Sequence, residues 1–303
     1  MIRPPFLQAG DKIGMVAPGR KVSPADVDIA TQHFKSWGLE VVLAPNLFSR
    51  DEYYLSATDD QRMEDYQQML DDPQIRAIVN ARGGYGSTRI LDRLDFTAFT
   101  KNPKWIVGFS DVTAIHLAVH RLNVESIHGI MPIVFGKNDA PNSINSLKNT
   151  LFGILPDIDF QSSLPNREGA ARGIAVGGNL SLVVDSIGTS SDVDTDGKIL
   201  ILEEVDEYLY RMDRMIVHLK RAGKLKNLAG LVIGHITAPL DTELNFGYNF
   251  QDIITEHVKE YAFPVAFNFP SGHENPNLSW LHGAHASLSV SANKAGLYFN
   301  TLG

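Results

Sequence analysis

Cysteine is absent from the 303 residues. Disulfides, thiolate zinc sites and a cysteine nucleophile are therefore excluded. Long apolar runs are missing too: nothing approaches the roughly 18 residues of a membrane span. The opening Met1-Ile2-Arg3-Pro4-Pro5-Phe6 has no apolar signal core, so a cytoplasmic location with no membrane partner is expected. There is no excess of positive charge. Lys and Arg number 27 against 35 Asp and Glu, a net −8, and the pI is about 5.7. This balance argues against a general nucleic-acid or anionic-membrane binder. Residues 1–150 carry 16 basic and 17 acidic side chains and 151–303 carry 11 and 18, so the acidity lies in the second half. No repeat or low-complexity tract is present. With 44% hydrophobic and 20% charged residues, the profile is globular, and a chain this long buries enough surface to need no staples.

The first half alternates strand and helix signals. Strands are expected at 12–17, 39–43, 75–81, 105–109 and 126–130. Helices are expected from Pro24 behind a Ser23 cap to Gly38, over 59–70, from Ser87 to 94, and over 111–122. This rhythm predicts an α/β fold with a parallel sheet and helices on both faces. Residues 154–172, with Pro156, Pro165 and Gly169, read as a linker between a first domain (1–153) and a second (173–303). Beyond it, helices are expected at 180–187, 208–222 and 251–261, strands at 198–202, 231–236 and 264–269, and a hairpin around Asn293-Lys294.

Open parallel sheets place ligands beyond the C-terminal ends of their strands. Two loops lie there. In Gly108-Phe109-Ser110-Asp111 a strand runs straight into a serine and a helix begins at once. That suits a nucleophile whose oxyanion is met by the Asp111 N–H; the plainer alternative is a helix cap. The loop Arg82-Gly83-Gly84-Tyr85-Gly86 could cradle phosphate, supply a second oxyanion donor or simply turn. Arg89 stands where a dinucleotide fingerprint needs glycine, and no P-loop lysine is present. Of ten histidines, His273 stands out in a polar loop just after a strand. His116 and His120 have a spacing of four but lack the zincin glutamate, since Leu117 follows His116. Glu203 and Glu204, ending an apolar strand, could orient a base. A competing reading makes Asp192 to Glu203 a calcium loop, although Leu200 occupies a ligand position there.

Taken in order, these segments resemble the serine LD-carboxypeptidases (muramoyl-tetrapeptide carboxypeptidases) and the related microcin C self-immunity peptidases. The resemblance runs through Gly10-Asp11-Lys12-Ile13, Val16-Ala17-Pro18, Ala81-Arg82-Gly83-Gly84-Tyr85-Gly86, Gly108-Phe109-Ser110-Asp111 and His128-Gly129. It continues through Gly177-Gly178-Asn179-Leu180-Ser181, Leu202-Glu203-Glu204-Val205-Asp206-Glu207 and Gly272-His273. It implies a Rossmann-like N-terminal sheet, a smaller C-terminal α/β domain and an active site in the cleft between them. It also implies Ser110 as nucleophile, His273 as general base, Glu203 as its orienting carboxylate, and the N–H groups of Gly84 and Asp111 as the oxyanion hole. Glu204, where the family more often has aspartate, and Glu207 are lesser candidates for the carboxylate. Arg82 and Arg89, by proximity in sequence, are candidates to pair with a terminal carboxylate; Tyr85 and Asn179 complete the candidate substrate contacts. The expected enzyme is a homodimer without metal or cofactor that releases terminal D-alanine from muropeptide tetrapeptides during peptidoglycan recycling. One alternative is a microcin-type peptidase cutting peptidyl nucleotides. It would need a base-stacking aromatic, and residues 155–171 offer Phe160 alone. The other is a non-catalytic protein binding muropeptides or calcium.

Overall fold

The computed structural model describes residues 1–49, 52–162 and 164–299. In chain order the first half builds β1 (Lys12–Val16), α1 (Pro24–Ser36), β2 (Glu40–Leu43), α2 (Asp59–Asp71), β3 (Ile75–Asn80), α3 (Ser87–Leu91), α4 (Thr97–Lys101), β4 (Trp105–Gly108), α5 (Thr113–Arg121), β5 (Ser126–His128) and α6 (Pro141–Leu151). The second half builds β6 (Asp157–Gln161), β7 (Gly169–Asn179), α7 (Leu180–Asp185), β8 (Ile199–Val205), α8 (Leu209–Arg221), β9 (Gly230–Thr237), α9 (Phe250–Val258), β10 (Val265–Ala266), β11 (Trp280–His282), β12 (His285–Val290) and β13 (Lys294–Tyr298).

Strands β2-β1-β3-β4-β5 pair in parallel in that order, and β11 adds to β5 antiparallel. The order reverses between β1 and β3, the switch point where open α/β sheets bind ligands. The fully buried runs of β3 and β4 fit a sheet covered on both faces. Local signals set the helices. Ser23 and Asp26 close a capping box on α1 with Pro24 at its first turn, and Val27, Ala30 and Phe34 face the core. Gly38, at φ +84°, turns the chain away from the helix. On α2, Arg62, Tyr66 and Met69 lie on the buried face.

The second sheet has the order β10-β9-β8-β7-β12-β13-β6. Its β7 to β10 members are parallel, and β12, β13 and β6 are antiparallel. The two sheets share one apolar core: Ile199, Ile201, Phe269 and Leu297 pack in the same cluster as Ile13, Ile78 and Ile106.

Several expectations are corrected. The stretch expected as a linker holds β6 and the start of β7. Its prolines and polar residues suit edge-strand chain, and β6 is an edge strand whose side chains alternate exposed and buried. The C-terminal half also returns β11 to the first sheet. The expected 111–122 helix starts at Thr113, after a 3-10 turn over Ser110–Val112, and α3 is shorter than expected.

Candidate active site

The loops after β1, β3 and β4 converge at the switch point. Glycine makes this possible: a Cβ on Gly19 would lie 2.8 Å from Asp111 Oδ2 and 2.9 Å from the Gly83 carbonyl. Arg62, on α2, ties the loops together from beneath. Its Nη1 donates to the Pro18 carbonyl and to the Gly86 carbonyl, and its Nη2 to Asp59. Asp111 accepts from the Ser87 N–H (2.9 Å) and hydroxyl (2.7 Å), linking the β4 loop to α3. Burial pushes the Asp111 carboxyl up from its usual value, against the pull of those Ser87 bonds.

Ser110 opens the 3-10 turn two residues after β4, with φ +61°. That left-handed conformation is costly for a residue with a Cβ, about 1–3 kcal/mol. A sharp strand-to-helix turn holds a serine this way and presents its hydroxyl. The Ser110 Oγ donates to His273 Nε2 at 3.0 Å, and His273 Nδ1 donates to Glu203 Oε2 at 2.8 Å. The carboxylate can only accept, so the proton is on Nδ1 and Nε2 is free to take the serine proton. Burial alone would depress the His273 imidazole, yet the charge and hydrogen bond of Glu203, with Glu204 and Asp206 behind it, hold it above its usual value.

Each partner is braced. Glu203 is buried near the end of β8. The loop carrying His273 is tied to both halves. Its Gly272 N–H donates to Asn277 (3.2 Å), the Asn277 N–H donates to Ser143 (2.9 Å), and the Asn275 amide donates to Asp139 (2.7 Å). Trp280 Nε1 donates to the Ser271 hydroxyl at 3.0 Å. The Phe109 ring packs 4.9 Å from the His273 ring. Gly272 has φ +132°, and a Cβ there would lie 3.1 Å from Glu203 Cβ, so the close approach of histidine to glutamate requires glycine. Gly83 has the same role beside the serine. A Cβ there would lie 3.1 Å from Ser110 Cβ and 3.3 Å from both Ser110 Oγ and the Asp111 nitrogen. Among the described residues, neither the Gly84 N–H nor the Asp111 N–H donates to a protein acceptor.

The remaining expected site residues divide. Tyr85 is exposed on the glycine loop. Arg82 is half-buried and donates to the Lys21 carbonyl at 3.1 Å. Arg89 points elsewhere: Asp59 grips it with bonds of 2.6–3.1 Å and raises its proton affinity. Asn179 is buried and committed to structure, its Oδ1 capping α7 and its Nδ2 donating to Glu204 (2.8 Å). Glu204 also accepts from Ser181 N–H and hydroxyl, which leaves it an anchor of α7. Glu207 bonds the Tyr208 N–H and lies 3.6 Å from Arg211.

The calcium reading is overturned by the partners its residues have. Asp192 pairs with Lys224 (2.6 Å), Asp194 with Lys198 (3.6 Å), Asp196 accepts from Asn227, and Glu203 bonds His273. Phe160 is buried against Phe269, with ring centroids 5.3 Å apart, so it is not available to stack on a base. His116 and His128 are fully buried beneath the site rather than lining it.

Sequence reasoning missed Arg62, although a basic residue in register with Tyr66 and Met69 on an apolar stripe is a visible signal. It also missed Arg20 and Tyr54, which flank Gly84 and leave no signature in local sequence.

A hydroxyl, an imidazole and a carboxylate in one hydrogen-bonded line, beside free backbone N–H groups, is an arrangement suited to acyl transfer through a serine. Comparison with known proteins gives the class a family. Residues 13–129 match the LD-carboxypeptidase N-terminal domain and 172–288 its C-terminal domain. A Bacillus subtilis relative named "Probable murein peptide carboxypeptidase" is 31% identical over 97% of this chain and 93% of its own. The murein tetrapeptide carboxypeptidase of Pseudomonas aeruginosa is 27% identical over 91% of this chain and 92% of its own. The crystal structure of muramoyltetrapeptide carboxypeptidase from Oxalobacter formigenes superposes with a TM-score of 0.85 at 28% identity, covering 94% of this chain and 97% of that one. An MccF-like protein of Bacillus anthracis, at 23% identity and a TM-score of 0.84 over 99% of this chain and all of its own, shares the fold. The chain belongs to the LD-carboxypeptidase family. It is a serine-type carboxypeptidase, a hydrolase.

Proposed function

We propose that this enzyme hydrolyses the L,D-peptide bond before the terminal D-alanine of muropeptide tetrapeptides, using Ser110, His273 and Glu203. The reading is carried by the unbroken line from Ser110 Oγ through His273 to Glu203, with bonds of 3.0 and 2.8 Å. His273 Nε2 takes the Ser110 proton as Oγ attacks the carbonyl carbon on the L-centre side. The oxyanion forms against the N–H groups of Gly84 and Asp111; such a donor is typically worth about 3–4 kcal/mol in the transition state. Protonated His273, steadied by Glu203, gives its proton to the departing amine, and D-alanine leaves. Water, activated by the same imidazole, then releases the shortened peptide from Ser110. A role in cytoplasmic peptidoglycan recycling and a homodimeric state complete the proposal. They rest on the family resemblance, and the dimer is checked by light scattering.

The test is mass spectrometry of L-Ala-γ-D-Glu-meso-diaminopimelate-D-Ala incubated with wild type and with Ser110→Ala, chelator present. Loss of one alanine with wild type alone is the expected result. Loss with both proteins rejects Ser110, and loss with neither rejects the substrate.

A further inference from the structure

A carboxypeptidase must tell a free terminal carboxylate from a continuing chain. That carboxylate lies a single residue beyond the scissile carbonyl, within about 3.8 Å of chain, so the group that reads it has to border the oxyanion site. Two side chains border Gly84. A Cβ on Gly84 would lie 2.7 Å from Arg20 Cβ, 3.3 Å from Arg20 Cδ and 3.0 Å from the Tyr54 hydroxyl. The Arg20 guanidinium lies over the Tyr54 ring, 5.1 Å from its centroid, a stacking that pre-orients the planar fork. The backbone fixes both. The Arg20 N–H donates to the Gly83 carbonyl (3.0 Å), the Lys21 N–H to the Tyr54 carbonyl (3.0 Å), and Arg20 bridges antiparallel to Leu55.

A second guanidinium stands behind. Arg82 has its Nη1 on the Lys21 carbonyl. Burial, and then the nearby charge of Arg20, depress its proton affinity; Asp26, occupied in capping α1, acts weakly in the other direction. Among the described residues neither Arg20 nor Arg82 is ion-paired, whereas Arg62 and Arg89, the other guanidiniums near the glycine loop, both pair with Asp59. With Arg20 placed beside Gly84 and, among the described residues, no carboxylate paired with it or with Arg82, an incoming carboxylate gains charge-assisted bonds there.

We propose that Arg20, stacked on Tyr54 and backed by Arg82, is the specificity residue that receives the C-terminal carboxylate of the peptide. The assignment rests on the carboxypeptidase reading above. It removes Arg89 from that role, since Asp59 already occupies it.

The experiment compares the tetrapeptide as free acid and as C-terminal amide. Arg20→Gln is expected to lower kcat/KM for the acid about 10- to 100-fold and leave the amide unchanged, the size of a lost hydrogen bond to a charged group. Arg20→Lys, keeping the charge without the fork, falls between. Equal losses on both peptides, or no loss on the acid, overturn the assignment. Calorimetry of both peptides with Ser110→Ala separates it from the reading it rests on. An acid-over-amide preference that disappears in Ser110→Ala/Arg20→Gln supports Arg20 even if wild type fails to turn over the tetrapeptide, and absence of that preference overturns it.

Discussion

Beneath the site, His116, His120, His128 and His282 are all buried, and their acid titration is large enough to measure. Their rings touch in a chain: His116 to His128 at 6.2 Å, His116 to His282 at 5.7 Å, and His120 to His282 at 5.5 Å. Burial drives His116 and His120 down to about 4, and burial with mutual repulsion drives His128 and His282 well below their usual value. In the unfolded chain each returns to about 6.5. Below that pH the unfolded state binds more protons than the folded one. Stability is therefore complete above about pH 6.5 and falls as the pH drops toward 4. At ~1.4 kcal/mol per unit and per ring, His116 and His120 together remove about 4 kcal/mol by roughly pH 5, and His128 and His282 act in the same direction. That is a large part of a whole domain's stability of about 5–15 kcal/mol. His235, also depressed by burial, adds to the same window. His273, held above its usual value, works in the opposite sense and in a window above 6.5. Urea unfolding at a series of pH values from 7 to 5 should give a slope approaching uptake of about two protons or more. His120→Gln should reduce it by about one. A slope below about one proton in wild type, or no change in the variant, would refute the neutral-core argument.

Ser110→Gly should abolish turnover and raise stability by about 1 kcal/mol, because the left-handed serine is strained; paired activity and thermal-melt measurements check both halves. Gly83→Ala should cut kcat by about 100-fold or more with the fold intact, since its Cβ intrudes beside Ser110 Oγ and the Asp111 nitrogen. Normal far-ultraviolet dichroism with a normal rate would count against the proposed oxyanion position. Arg62→Ala should cost about 3 kcal/mol in urea denaturation, because it strands two loop carbonyls and Asp59. Glu203→Gln should reduce kcat by about 10⁴ and move the acid limb of the pH–rate profile downward, since the carboxylate no longer holds the imidazole up; an unmoved limb refutes that role.

What sequence could reveal followed from local physics. The cap at Ser23, the stop at Gly38 and the buried run of β4 are short-range effects, and the structure has each. Ser110 was visible because a strand, a serine and a helix start sit within a few residues. The edge strand β6 was not, because its prolines and polar flanks look the same as those of a linker until a partner strand is present. The return of β11 to the first sheet depends on pairing Trp280 with His128, across 152 positions of sequence, which no local pattern encodes. Asn179 is a related case: its motif marks a tight turn in the sequence, and only the folded chain brings its side chain to Glu204 and the start of α7.

The placement of β11 bears directly on how the site works. Ser110 lies on the first sheet and Glu203 on the second, while His273 reaches both from a loop that leads into β11. If the loop belonged to the second sheet alone, any rocking between sheets would lengthen the serine–histidine bond while sparing the histidine–glutamate bond. Instead, β11 is hydrogen-bonded to β5, and the Asn179 N–H donates to Thr113 Oγ1 at 3.0 Å, joining the end of β7 to the start of α5. Gly178 makes that junction possible, since a Cβ there would lie 2.5 Å from the same hydroxyl. The strain at Ser110 is tolerable because both sides of the seam over-determine its position, which is the condition under which backbone strain persists at functional sites. Preorganisation here is therefore a property of the seam between the sheets.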